Sequence, residues 1–253
     1  MSLKNKSLLV FASKDVGLQV VKYFIAHGWH INQLIVASRN ERDLIRMAEK
    51  KRLPYRILSR LLCRKLVASE KRFDWLINAW SPHILTKSVL QLARHRVNLH
   101  PGILPRYRGN DQAAWTIINA DTAGVALLEM NSHIDTAPVW AQKKVPYRYP
   151  IKGKDLHARL QKEVVALFKS AWPQLVSGKI RPRAQRGRVG FHTRKVTNRN
   201  RRIRLADFNH PAAVIRRILA HDFSPKTTAE LRFGGKSYQL TLTPVQRRRR
   251  EKR

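Results

Sequence analysis

Acidic residues are scarce in this chain of 253 residues: 16 Asp and Glu stand against 51 Lys and Arg, a formal net charge of +35. The basic stretch Arg247–Arg253 supplies only +5 of that, so the excess is spread along the chain. Such a balance predicts attraction to polyanions, among them RNA, nucleotide phosphates and poly-acidic cofactors. Cysteine is almost missing. Cys63 alone rules out an internal disulfide framework and fits a reducing compartment, so a cytoplasmic location is expected. Long apolar runs are missing too. Leu8 to Ala12, flanked by Lys6 and Lys14, is too short for a signal-peptide core or a membrane span, and no membrane partner is expected. The first strand-to-helix turn, Ser13-Lys14-Asp15-Val16-Gly17, lacks the G-x-G-x-x-G fingerprint, which argues against a nicotinamide cofactor. No P-loop, Cys-x-x-Cys or His-Glu-x-x-His is present, so phosphoryl transfer and zinc chemistry have no support and no metal is expected.

What is present is an alternation of apolar runs. With 43% hydrophobic residues the chain has enough for an ordinary core. Leu8–Ala12, Ile31–Ala37, Tyr55–Leu58 and Trp75–Ala79 read as strands. Between them lie a helix with Val16, Val20 and Phe24 on one face, capped by Ser13 or Asp15 and stopped at Gly28, and another over Glu41–Arg52 with Leu44, Ile45 and Ala48 inward. Thr86–His95 reads as a helix leading into a short strand, Val97–Leu99. Gly124–Met130 and Val139–Val145 read as paired strands, and Asp155 to Val176 as a long closing helix. This order predicts an α/β fold: a Rossmann-like, mostly parallel sheet with helices on both faces, over residues 1–178. From Lys179 to Arg204 the chain turns polar and basic and reads as a linker into short strands. Asn209 and Pro211 open a helix faced by Val214, Ile215, Ile218 and Leu219. Gly234-Gly235 joins Glu230–Phe233 to Ser237–Leu240 in a hairpin. A small β-rich domain over 179–246 and a basic tail over 247–253 follow from this reading, and the hairpin either mediates a homodimer or faces solvent.

The stretch Val97-Asn98-Leu99-His100-Pro101 puts Asn98 and His100 at the carboxyl end of a buried strand, where sites gather in open α/β sheets. Asn98 can donate to a carbonyl oxygen that gains negative charge, His100 can move a proton near neutrality, and Asp135 in Ile134-Asp135-Thr136 can orient that imidazole. Each residue also has an ordinary reading as a packed histidine, a turn amide or a loop carboxylate, and spacing alone leaves both open.

The whole string, Asn98-Leu99-His100 with Leu104-Pro105-Arg106-Tyr107-Arg108-Gly109 and Asp135-Thr136, resembles the N10-formyltetrahydrofolate-dependent formyltransferases, and among them most the sugar N-formyltransferases. Asp74-Trp75-Leu76-Ile77, Ile84-Leu85 and Trp115-Thr116-Ile117-Ile118-Asn119 are similar as well. The resemblance implies transfer of a formyl group from N10-formyltetrahydrofolate to an amino group. The acceptor it suggests is a nucleotide-linked amino sugar; methionyl-tRNA is the alternative, and a non-catalytic RNA-binding protein on the same scaffold a further one. It maps the catalytic trio onto Asn98, His100 and Asp135, and places Trp80, Ile84 and Leu85, with Asp135, at the folate. Tyr107, Arg108 and Asn110 are the acceptor-side candidates, with Tyr107 stacking on a base or the folate ring. Arg188, Arg194, Arg201 and Arg202 are candidate polyanion contacts, and His133 is a loop residue. Three departures stand out. Ala137 replaces a usual glycine and would strain the Asp135 loop if that position needs φ > 0. Glu129 replaces a site contact, and Pro101-Gly102-Ile103 replaces a small-residue run with little expected consequence.

Overall fold

A computed structural model describes residues 3–245. In chain order the elements are β1 (Leu8–Ala12), α1 (Lys14–Ala26), β2 (Ile31–Val36), α2 (Arg42–Lys50), β3 (Tyr55–Ile57), α3 (Arg60–Ala68), β4 (Phe73–Ala79), α4 (Lys87–Leu90) and β5 (Ala93–His100). There follow β6 (Arg108–Gly109), α5 (Gln112–Ile118), β7 (Ala123–Leu128), β8 (Val139–Val145), α6 (Gly153–Val176), β9 (Phe191–His192) and α7 (Arg194–Asn200). The chain then forms β10 (Arg202–Ile203), α8 (Pro211–Ala220), β11 (Ala229–Phe233) and β12 (Lys236–Leu240). Seven strands make one sheet in the order β3-β2-β1-β4-β5-β7-β8. The first five run parallel, while β7 and β8 are antiparallel to their neighbours. This is the expected α/β architecture.

The alternation within β1 shows why both faces need cover. Leu8, Val10 and Ala12 join a core with α1, α5 and α6, while Leu9 and Phe11 join another with residues of α3 and α4. Helix α6 buries Leu156, Leu160, Val164, Phe168 and Trp172, a 3.6-residue stripe against the sheet. The Trp172 ring lies 5.1, 5.6 and 5.2 Å from those of Phe24, Trp29 and Trp75. Truncating so buried an aromatic residue costs about 3–5 kcal/mol.

Several local expectations are corrected. The helix read over Thr86–His95 is only the single turn α4, capped by Thr86 Oγ1, and β5 starts at Ala93. Pairing with β4 draws Arg94-His95-Arg96 into the sheet: His95 lies opposite Trp75, its ring 4.7 Å away, and the Trp140 indole donates to the Arg96 carbonyl. Helix α8 is capped at His210 rather than Asn209, and the Ser13 hydroxyl binds Glu41 instead of capping α1. The stretch 179–204 is built rather than linking: Arg183 bridges to Val139, β9 pairs with β6, and α7 and β10 follow. Strands β10-β11-β12 form a small sheet packed on α8, with Ile203, Val214, Ile218 and Ala229 as its core. The basic tail 247–253 lies outside the described residues. Among the described residues no helix is long and apolar enough to cross a membrane.

Candidate active site

β5 ends between β4 and the first antiparallel strand, β7, so its last residues sit where the sheet changes direction. There Asn98 faces Asn78 of β4 and Leu128 of β7, and His100 faces Ala126. His100 is buried. Its Nε2 lies 2.7 Å from the Tyr107 carbonyl, which can only accept, so Nε2 carries hydrogen. That leaves Nδ1 as the nitrogen that gains or loses a proton, and it points at Asp135 Oδ2, 3.6 Å away. Asn98 Nδ2 stands 3.5 Å from the other Asp135 oxygen. Asp135 Oδ2 also accepts from the Gly109 amide at 2.9 Å. The three residues singled out in the sequence are therefore brought together.

Two glycines allow this. A Cβ on Gly102 would fall 2.9 Å from His100 Nε2 and 2.9 Å from Gln112 Cγ, so the Pro101-Gly102-Ile103 departure has a consequence the sequence did not suggest. Gly109 has φ +90, and a Cβ there would meet the His192 carbonyl oxygen at 2.2 Å. The strain expected at Ala137 is absent. Positive φ falls on Asp135 itself (φ 53), and Ala137, buried, is not among the residues with positive φ. The Asp135 loop is held by Gln185, whose amide donates to the carbonyls of Asp135 (2.8 Å) and Ala137 (2.7 Å) while its oxygen accepts from Arg108. Sequence reasoning missed Gln185, which no local pattern marks within a basic run fifty positions from its partner.

Around the trio lies a cleft of about 740 Å³. Trp80, Ile84 and Leu85 line it, Ile84 with 75% of its surface exposed. Trp80 has φ 72, which turns the chain out of β4 into the cleft wall. Asn110 and His133 also line it, His133 as an exposed loop residue. A second set of lining residues is cationic: Lys14, Arg194, Arg201 and Lys226. Arg194 pairs with Asp111 at 2.8 Å and Arg201 with Glu230 at 3.0 Å; Arg188 and Arg202 lie outside the cleft. Burial, with Lys14 and Arg194 nearby, holds the cleft residue His157 below the usual histidine range. His221 is pushed down to about 4 by burial and by Arg217 and Arg201. Both imidazoles are neutral near pH 7.

Two acceptor-side expectations are corrected. Tyr107 is wholly buried, and its hydroxyl donates to Asp121 at 2.7 Å, so its ring cannot stack on a ligand. Burial and Asp121 raise its phenol pKa. Its contribution is the carbonyl that holds His100. Arg108 turns its guanidinium to Gln185 and does not line the cleft. Glu129 is an ion-pair partner, accepting from Arg96 Nε at 2.8 Å, yet burial still raises its pKa. Among the described residues no cluster of three or more His, Cys, Asp or Glu is arranged to hold a metal ion.

This geometry can stabilise an oxygen that gains negative charge and pass a proton beside it. The family model described as "Formyl transferase" matches residues 37–171, more than half the chain. The chain belongs to the formyl transferase family. Formyl transferase relatives in sequence include the methionyl-tRNA formyltransferase of Myxococcus xanthus (strain DK1622), 32% identical over 155 residues, which cover 60% of this chain and 48% of that protein. Another is the methionyl-tRNA formyltransferase of Sorangium cellulosum (strain So ce56), 31% identical over 48% of this chain and 40% of that protein. The chain spans about half the length of the curated relatives it matches. Among solved structures, a sugar N-formyltransferase from Shewanella sp FDAARGOS_354 superposes with TM-score 0.79 at 16% identity, covering 96% of this chain and 99% of that one. A 4-N formyltransferase from Francisella tularensis gives TM-score 0.81 at 17% identity over 95% and 98%. The Helicobacter canadensis N-formyltransferase, in complex with folinic acid and dTDP-3-aminofucose, gives TM-score 0.73 at 16% identity over 91% and 84%. These likenesses show a shared fold.

Proposed function

We propose that this chain transfers the formyl group of N10-formyltetrahydrofolate to the amino group of a nucleotide-linked amino sugar. The observation that carries the reading is the convergence of Asn98, the buried His100 and Asp135 on one wall of a cleft that also offers apolar and cationic surface. The neutral acceptor amine adds to the formyl carbon, giving a tetrahedral centre whose oxygen bears negative charge. Asn98 Nδ2 and His100 Nδ1–H stabilise that oxygen, and the Asp135 carboxylate, 3.6 Å from Nδ1, orients the imidazole. The bond from the formyl carbon to folate N10 then breaks. As that bond breaks, His100 Nδ1–H gives its proton to N10, and Nδ1 then takes up the proton lost by the attacking nitrogen. Trp80, Ile84 and Leu85 suit the flat apolar body of the folate, and Asn110 with the cationic lining suits a sugar bearing a diphosphate.

The sugar reading is favoured over methionyl-tRNA by likeness in fold along nearly the whole length of the sugar enzymes, against matches to about half of the tRNA enzymes. The test offers the folded chain N10-formyltetrahydrofolate with nucleotide-linked 3-amino and 4-amino sugars and methionyl-tRNA together, and reads acceptor masses. Gain of one CO unit on a sugar nucleotide is the expected result. The same gain on methionyl-tRNA alone would replace the acceptor, and no gain on any amine would overturn the reading.

A further inference from the structure

We infer that a second cavity, between β8 and residues 179–186, binds a small ligand carrying two or more phosphate groups. The cavity measures about 470 Å³ and shares no lining residue with the cleft. One wall is Leu104 with Val139, Trp140, Ala141 and Gln142 of the sheet's edge strand; the other is Lys179–Arg186. That second segment is anchored to the edge by the reciprocal Val139–Arg183 backbone bonds, both 2.8 Å, and by Gln185.

Its charge is one-sided. Lys179, Arg181, Arg183 and Arg186 all line the cavity, and no carboxylate does. Among the described residues none of these four side chains has a hydrogen-bond or ion-pair partner. The three carboxylates of residues 179–245 are already paired, Asp207 with Arg204 and Arg217, Asp222 with Lys152, and Glu230 with Arg201. On a convex surface mobile counterions would balance such charges. In a concave space walled by Leu104, Val139, Trp140 and Ile180, the field is concentrated and selects a multivalent anion. Gln142 adds donors, since its side-chain oxygen is taken by the Leu104 amide at 2.8 Å and its NH₂ is uncommitted. A phosphate monoester carries about −1.5 to −2 at neutral pH, so two or three phosphates match four cations. The volume falls within the roughly 300–1,000 Å³ range of small-molecule sites rather than that of a groove for a polymer.

Calorimetric titration of the full chain with inorganic triphosphate tests the site without using the formylation reaction. Saturable binding is expected that persists when the cleft cations are removed. The triple variant Arg181→Gln, Arg183→Gln, Arg186→Gln should weaken it about tenfold or more, because charge-assisted contacts are lost. The cleft variant Arg194→Gln, Arg201→Gln, Lys226→Gln should leave it in place. Matching thermal unfolding of the triple variant and wild type checks that the fold survives, and the single variant Lys179→Gln should give a smaller loss in the same direction. Tighter binding of a nucleoside triphosphate, lost in the same triple variant, also supports the site and makes a nucleotide its source of phosphates; equal binding makes free polyphosphate sufficient. Undiminished binding in the triple variant, loss in the cleft variant instead, or binding of an oligouridylate but not of triphosphate would each overturn the proposal.

Discussion

Residues 1–178 and residues 179–253 carry nearly the same net charge, +17 and +18, although the second region is less than half as long. They handle it differently. In the first, carboxylates sit among the cations at positions the fold fixes: Asp74 by Lys6, Glu129 by Arg96, Asp121 by Arg106, Glu163 by Lys143. In the second, the described carboxylates are spent, and Lys179, Arg181, Arg183, Arg186, Arg188, Lys195, Arg199 and Arg202 have no carboxylate partner among the described residues. Among the described residues cations without an ion-pair partner stand in both regions, Lys22, Arg39 and Arg94 in the first as Lys179, Arg181 and Arg183 in the second, but in the second four of them line one cavity that has no carboxylate. The regions meet at Gln185, which belongs to the basic segment and fixes the loop carrying Asp135.

The largest effect on this comparison belongs to Asn98, His100 and Asp135. Replacing Asn98 with Ala should lower the rate of formyl transfer about 10²–10³-fold, the usual cost of one donor to a developing oxyanion, with little change in the apparent affinity for either substrate. Steady-state kinetics on the accepted amine reads this directly.

The next effect concerns stability and pH. His221 titrates at about 4 in the fold, below its ordinary 6.5, so the unfolded chain takes up this proton first as pH falls. Its contribution is therefore complete above pH 6.5 and is lost progressively down to about pH 4, amounting to about 3 kcal/mol over that window. Denaturant unfolding at pH 7 and pH 4 should show the loss. His221→Gln, which can still reach Asn200, should show a shallower one.

Gly102→Ala comes third. Its methyl group meets His100 Nε2 and Gln112, so overpacking should cost about 1–3 kcal/mol and shift His100 from the Tyr107 carbonyl, lowering kcat with it. An unchanged kcat would mean that His100 tolerates displacement. The smallest effect is that of Gln185→Ala. It removes bonds to two carbonyls and to Arg108, for about 1 kcal/mol of stability and a several-fold loss in kcat. An Asp135 loop that keeps full activity without Gln185 would uncouple the two regions.

Much of the site was legible because it lies along one strand end. Asn98 and His100 alternate with apolar residues and meet a Pro-Gly turn, which places them at the carboxyl edge whatever the exact length of the strand. The hairpin was legible through Gly234-Gly235. What depended on distant partners was not. Arg94-His95-Arg96 looks like the polar end of a helix until Trp75, Trp140 and Glu129 supply its neighbours. Tyr107 looks like a ligand-stacking ring until Asp121, fourteen positions away, takes its hydroxyl. Gln185 has no local signature, because its role exists only once the basic segment lies against the sheet edge.

The most direct test of the central claim is single-turnover formyl transfer from N10-formyltetrahydrofolate to the accepted amino sugar by wild type and by His100→Asn. Asparagine puts a neutral amide near the position of Nδ1, falls short of the Tyr107 carbonyl that Nε2 reaches, and has no group that takes up and releases a proton. The account predicts a rate at least about 10²-fold lower with acceptor binding retained. Transfer by His100→Asn at the wild-type rate would contradict it.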